Sequence, residues 1–303
     1  MRTFRLLLGL FLAALLIGGT AMAQPMSGTY TIGDSDPNPD DYPSIAAAVG
    51  DLQSRGLEGA VTFEVEELVY IGNVEIDGDA IAGQGIANPV TFRDAVPGGT
   101  RPLIKGAAAA SAAVLWLWHL QYFTFDGIDV QDTVAGYPVR VQGISWYNTI
   151  KNCTITGFGE TNMSTVGLYH YGGASYDPYP NGETLIDSVT FTQCYYNIYI
   201  NGVYNQPELN VEVSHCTFTG GQRGVWVNYA DSLRIHDNDI QPGWANNTTQ
   251  EAVGVYIGSH YAPYTIFIYN NKIHNIRSVR NTLGNARGIQ VSTRPQAGSF
   301  VWI

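Results

Sequence analysis

Ile150-Lys-Asn-Cys-Thr-Ile155 and Val213-Ser-His-Cys-Thr-Phe218 are two copies of a six-residue unit, apolar at its first and last positions, that decides the fold. The other copies read Phe125-Asp-Gly-Ile-Asp-Val130, Ile186-Asp-Ser-Val-Thr-Phe191, Ile235-His-Asp-Asn-Asp-Ile240 and Ile268-Tyr-Asn-Asn-Lys-Ile273. Their starts lie 25, 36, 27, 22 and 33 residues apart. A short alternating strand follows each: Val139-Arg-Val141, Leu168-Tyr-His170, Ile198-Tyr-Ile200, Val225-Trp-Val227, Val255-Tyr-Ile257 and Ile289-Gln-Val291. Successive side chains of a strand point to opposite faces, so the flanking aliphatics share one face and the middle residue takes the other. Repeats of this length, built only of strands and turns, predict a solenoid whose coils stack as parallel sheets. The fourth position of the unit is Ile128, Cys153, Val189, Cys216, Asn238 and Asn271. Small or amide side chains there suit an inward corner, where asparagines hydrogen-bond from coil to coil.

Composition agrees. The 303 residues include 34 Gly and 19 Tyr, with 45% hydrophobic and only 14% charged. Such usage favours strands and turns over helices and excludes an all-helical protein. Fifteen basic against 26 acidic residues give a net charge of −11, with no basic patch, so phosphate-mediated nucleic-acid binding is not expected. Arg2 and Arg5 precede an apolar run from Leu6 to Ile17 and the small-residue pattern Ala21-Met-Ala23. This reads as an export signal over 1–23, because a membrane anchor needs about 20 apolar residues. The mature chain is therefore expected outside the cell, with no span.

The unit and its partner strand resemble the right-handed parallel β-helix superfamily, which includes pectate lyases and many surface proteins. The likeness covers about residues 60–303 and implies an all-β, right-handed parallel β-helix. Upstream, Gly28-Thr-Tyr-Thr-Ile-Gly33, Asp41-Tyr-Pro-Ser-Ile-Ala-Ala-Ala-Val49 and Gly59-Ala-Val-Thr-Phe-Glu-Val65 follow in order. This order resembles the N-terminal region of large secreted β-helix surface proteins of Bacteroidota-like bacteria. Residues 24–59 then hold a strand, a loop and a short helix that caps the solenoid. Pro43 fits the first helical turn, Ala46–Val49 with Leu52 makes the apolar stripe, and Gly56 supplies the stop. Ser299–Ile303 aligns with Tyr264–Ile268, so a further coil is expected to begin there, as in an N-terminal portion of a longer protein.

Candidate functional residues come from the outward position of the alternating strands. Coil by coil it is Arg140, Tyr169, Tyr199, Trp226, Tyr256 and Gln290, with Trp116 as a possible forerunner. Tyr169, Tyr199, Trp226 and Tyr256 would place four rings about 4.8 Å apart along one face. Such a row suits an extended extracellular polysaccharide or cell-surface glycan; the alternative is that the rings pack on each other. The expected state is a glycan-binding or scaffolding monomer with no assigned catalytic residue. A polysaccharide lyase or glycoside hydrolase working in a groove along the solenoid is the competing reading. For hydrolysis Asp187 with Glu212 is one conceivable pair; for elimination Arg223 and Arg234 are bases by residue type only.

Other groups have plainer readings. Asp237 and Asp239, about Asn238 and near His236, are oxygen donors for calcium, as are the alternating Asp34, Asp36, Asn38 and Asp40. A solvated acidic turn accounts for the first, and two interposed prolines and the absence of a sixth-position glycine argue against the second. No cofactor is therefore expected, with calcium as the alternative. His170 falls in an inward slot otherwise held by aliphatics and reads as a core histidine. Cys153 and Cys216 occupy the same slot two coils apart, about 9.6 Å, beyond the roughly 7 Å reach of a disulfide. With Cys194 they are expected to be buried free thiols.

Overall fold

The computed structural model describes residues 24–33, 42–107, 113–134, 136–160, 165–172, 181–203, 206–243, 251–259, 264–276, 286–292 and 298–303. The export signal expected over 1–23 and the acidic stretch Asp34–Asp40 lie outside them.

Among the described residues, alternating apolar residues give three long parallel sheets that wrap one interior, beside a two-stranded pair of Glu208–Leu209 with Ala230–Asp231. Each repeat unit splits between two of them. Its first apolar residue enters the first sheet, in the register Phe63, Phe92, Phe125, Ile150, Ile186, Val213, Ile235, Ile268. Its last enters the second sheet, in the register Tyr70, Ile104, Val130, Ile155, Phe191, Phe218, Ile240, Ile273. The alternating strands form the third. The second and third sheets have eight strands each and the first has ten, from Met26–Ile32 to Phe300–Trp302. Eight three-strand coils therefore run from Leu57 to Val291, two more than the six that the repeat unit predicts. The extra two escape the pattern because their corners are long: Phe63 to Tyr70 spans 7 residues and Phe92 to Ile104 spans 12, against 5 in the unit. The final strand pairs Phe300 with Thr265, the register expected from the sequence alignment.

Inside, identical residues stack. Phe63, Phe92 and Phe125 lie 4.6 and 5.3 Å apart between ring centres, and Phe191 sits 5.1 Å from Phe218. Burial of each such side chain contributes about 1.5–3 kcal/mol, and each stacked pair adds about 0.5–1.5. The corner between the first two sheets turns at the third position of the unit. Gly127, Asn152, Ser188, His215, Asp237 and Asn270 all take left-handed φ between 51° and 74° there. Glycine takes it freely, and asparagine, aspartate and histidine enter it more readily than serine does. Next to it, the Asn238 amide donates to Val213 O (3.0 Å) and Asn271 Oδ1 (2.9 Å), and its own Oδ1 accepts from Cys216 N (2.8 Å). The expected coil-to-coil asparagine contact is present. Cys153, Cys194 and Cys216 are buried and free.

The helix covers Ile45–Arg55. Ser44 is its N-cap, its Oγ accepting from Ala47 N at 3.1 Å, so Pro43 stands before the cap and not in the first turn. Ile45, Ala48, Val49 and Leu52, spaced 3, 4 and 7 residues from the first, form the buried stripe. At the other end Gly56, with φ 70°, closes the helix through its N–H to Leu52 O. The stripe packs on the third-sheet strand Val74–Asp77 and on Met26–Ile32, over the open interior of the first coil. No described helix is long and apolar enough to cross a membrane.

Candidate functional site

The third sheet carries the residues that the sequence singles out. Its register sets Glu75, Trp116, Arg140, Tyr169, Tyr199, Trp226, Tyr256 and Gln290 side by side on the outer face. Period-2 alternation produces this row, since Val139/Val141, Ile198/Ile200, Val225/Val227 and Val255/Ile257 are driven inward and buried. All four expected aromatic residues fall in it, and Trp116 joins them.

The rings are stacked on one another. Tyr169 lies 5.2 Å from Tyr199, and Tyr199 lies 4.1 Å from Trp226 at 11° between planes. Trp226 meets Tyr256 edge-on at 6.1 Å. Tyr137 and Tyr171 extend the stack on both sides of Tyr169. Two guanidinium groups are built in. Arg223 stands 4.0 Å from the ring centres of both Trp226 and Tyr256, and Arg140 stands 5.1 Å over Trp116. Cation–π attraction of this kind is worth about 0.5–2 kcal/mol per pair. Neither arginine has a carboxylate partner among the described residues, and Arg140 Nε, Arg223 Nε and both Trp116 and Trp226 Nε1 find no acceptor there. Because ring faces are spent on neighbouring rings and these N–H groups are buried among them, the row presents chiefly ring rims outward.

A second row backs the first. Asn201 and Asn228, in register one position past the inward aliphatics, donate to the hydroxyls of Tyr169 (3.2 Å) and Tyr199 (2.9 Å). Burial nevertheless dominates: it pushes the Tyr199 hydroxyl up to about 12, and Tyr169 is raised as well. The sequence signal for these asparagines was the shared ending of Ile198-Tyr-Ile-Asn201 and Val225-Trp-Val-Asn228.

The other sequence candidates are dispersed. Asp237, in the left-handed corner, is held by His236 Nδ1 at 2.8 Å; Asp239, on the second sheet, is held by His274 (2.5 Å) and Lys272 (3.3 Å). They do not converge, and among the described residues no group of three or more His, Cys, Asp or Glu could hold a metal ion. Asp187 binds His215 Nδ1 at 2.7 Å and Ser214 Oγ at 2.8 Å, while Glu212 binds Arg234 and His236, each at 3.3 Å. Both carboxylates and Arg234 are thus already paired. His170 does point inward, fully buried, with Nε2 2.9 Å from Thr184 Oγ1 and Nδ1 2.9 Å from Glu208 Oε2. That acid–imidazole–hydroxyl order is the one nucleophilic hydrolases use. Here all three side chains are at most 1% exposed, so no substrate reaches them.

No curated protein matches the chain. An alginate lyase from Paenibacillus sp. shares the fold at TM-score 0.52 and 13% identity, over 88% of this chain and 100% of the lyase. A pectin methylesterase from Aspergillus niger matches at TM-score 0.50 and 13% identity, over 91% of this chain and 89% of the esterase. At such identities the likeness is one of fold. The family described as right-handed β-helix region matches residues 137–298, more than half of the sequence. The chain belongs to the right-handed β-helix family.

Proposed function

We propose that this is an exported β-helix protein whose third sheet holds an extended polysaccharide or cell-surface glycan along its outer face. The observation that carries the reading is the unbroken register of Trp116, Arg140, Tyr169, Tyr199, Trp226 and Tyr256. Adjacent coils stand about 4.8 Å apart, a rise comparable to one sugar ring of an extended chain. Ring rims, each partly exposed, give a continuous apolar strip for the less polar faces of sugar rings.

Affinity electrophoresis through gels containing pectin, alginate or xylan tests the reading. The parent protein should be retarded by at least one of them. Tyr199→Ala, Trp226→Ala and Tyr256→Ala should lose retardation while keeping their circular dichroism. Absence of retardation for the parent, or its persistence in all three folded variants, overturns the proposal. Assays for unsaturated products and new reducing ends on the same polymers distinguish a binding protein from a lyase or hydrolase.

A further inference from the structure

We infer that the corner between the first and second sheets carries a separate site for a neutral sugar ring, in a cleft of about 530 Å³ walled by the long second-coil corner. The volume lies within the roughly 300–1,000 Å³ range of small-ligand sites. This site stands at the solenoid edge opposite the third sheet and does not depend on glycan binding there.

The cleft exists because of the corner that broke the repeat. Between Phe92 and Ile104 the chain uses twelve residue steps where later coils use five, and the excess stands off the solenoid as one wall. Asp94 anchors that wall: its Oδ1 accepts from Val96 N at 3.0 Å, and the residue is only 6% exposed. Opposite it the next coil has Gly127. A Cβ there would come 3.1 Å from Asp94 Cβ and 3.9 Å from its Oδ2, so the glycine lets the wall close tightly against the next coil. Arg93, Arg101, Asp126 and Asn152 complete the polar lining.

The arrangement of charge selects the ligand class. Every charged group at the rim is already held in place. Arg93 pairs with Glu64, and Arg101 Nη1 reaches Asp129 Oδ1 (3.2 Å) and Thr154 Oγ1 (3.3 Å). Asp126 is gripped by Lys151 Nζ (3.1 Å) and Asn152 Nδ2 (2.7 Å). A guanidinium has five donors and a carboxylate about four acceptor positions, so each keeps capacity after pairing. An anion entering the cleft would face Asp94 and Asp126; a cation would face Arg93 and Arg101. Vicinal hydroxyls avoid both conflicts, since each can donate to a carboxylate while accepting from a guanidinium. Interleaved, pre-paired donors and acceptors therefore fit a neutral polyol ring best.

Titration of isotopically labelled full-length protein with xylose, glucose and galactose, and separately with galacturonate and glucosamine, tests this. The amide resonances of Gly98, Gly99 and Gly127 report binding. At least one neutral sugar should shift them saturably. Arg101→Gln, on the exposed rim, should weaken that affinity about tenfold, as loss of a charge-assisted hydrogen bond does. Asp126→Asn should act in the same direction, and Tyr199→Ala on the third sheet should leave the shifts unchanged. Saturable shifts with only the charged sugars, or with none, overturn the inference. So does undiminished affinity in both cleft variants.

Discussion

His170 and Glu208 meet inside the solenoid, Nδ1 to Oε2 at 2.9 Å, and neither side chain is exposed to solvent. The approach is oblique, leaving neither atom a well-aligned hydrogen bond, so the contact is one of proximity more than direction. Every other described third-sheet strand from Val74 to Ile257 presents aliphatics at the inward positions. The polar pair is thus an exception within an apolar column. Removing one member leaves the facing polar atom of the other without its neighbour in a buried site, which typically costs about 1–3 kcal/mol. His170 keeps Thr184, and Glu208 keeps Asn181. Glu208→Ala and His170→Ala should each lower the urea midpoint sharply. His170→Leu combined with Glu208→Met should recover most of the loss, since apolar replacement of both partners is close to neutral.

The corner histidine His215 should titrate late. Its hydrogen bond to Asp187 raises it above its ordinary 6.5, and at Asp187 the bonds from His215, Ser214 and Ser188 outweigh the effect of burial and hold the carboxyl below 3.8. For the histidine the stabilisation is complete below 6.5 and fades as pH rises through the raised value. For the aspartate it is complete above 3.8 and fades as pH falls through the depressed one. The pair is therefore fully effective between these two ordinary values. Proton NMR should show the His215 midpoint above 6.5, and Asp187→Asn should return it to the ordinary range.

The three thiols should be silent. Burial pushes Cys153, Cys194 and Cys216 up to about 12, so almost no thiolate forms near neutral pH. A chromogenic disulfide reagent should detect no thiol in the native protein and all three after unfolding in guanidinium. A fast-reacting native thiol would contradict the buried corner positions.

Asn238 joins three coils through one amide, and its truncation should unseat more than one bond. Asn238→Ala leaves Val213 O and Cys216 N without their partner in a buried corner. A loss of about 1–3 kcal/mol in urea unfolding is expected. Asn152→Gly, which keeps the left-handed corner unstrained and removes only the amide bond to the half-buried Asp126, should cost less than half as much.

The row from Arg140 to Gln290 was readable because strand alternation leaves no freedom: once the aliphatics are inward, the residue between them is outward. What those rings do was not readable. Whether Tyr199 offers a face or stacks on Trp226 depends on side-chain rotamers and on loops of variable length. The two N-terminal coils were hidden for a different reason. Phe63 and Phe92 obey the same inward rule as Phe125, but their long corners move Tyr70 and Ile104 out of the six-residue frame. Glu208 could not be foreseen as the partner of His170, because it lies 38 residues further on and arrives from a two-residue strand, Glu208–Leu209, that pairs with Ala230–Asp231 outside the repeat pattern. His215 and Ser188 in the left-handed corner were also unmarked, since nothing about either residue type announces that conformation.

One consequence concerns self-association. A parallel sheet edge offers free N–H and C=O groups to any similar strand, and a stack of like coils is a template for adding another. At the strand Val74–Asp77 that invitation is withdrawn, because the helix Ile45–Arg55 lies where the next third-sheet strand would pair. Growth by copying is blocked on that side of that sheet, and the helix gives the column of coils a first member.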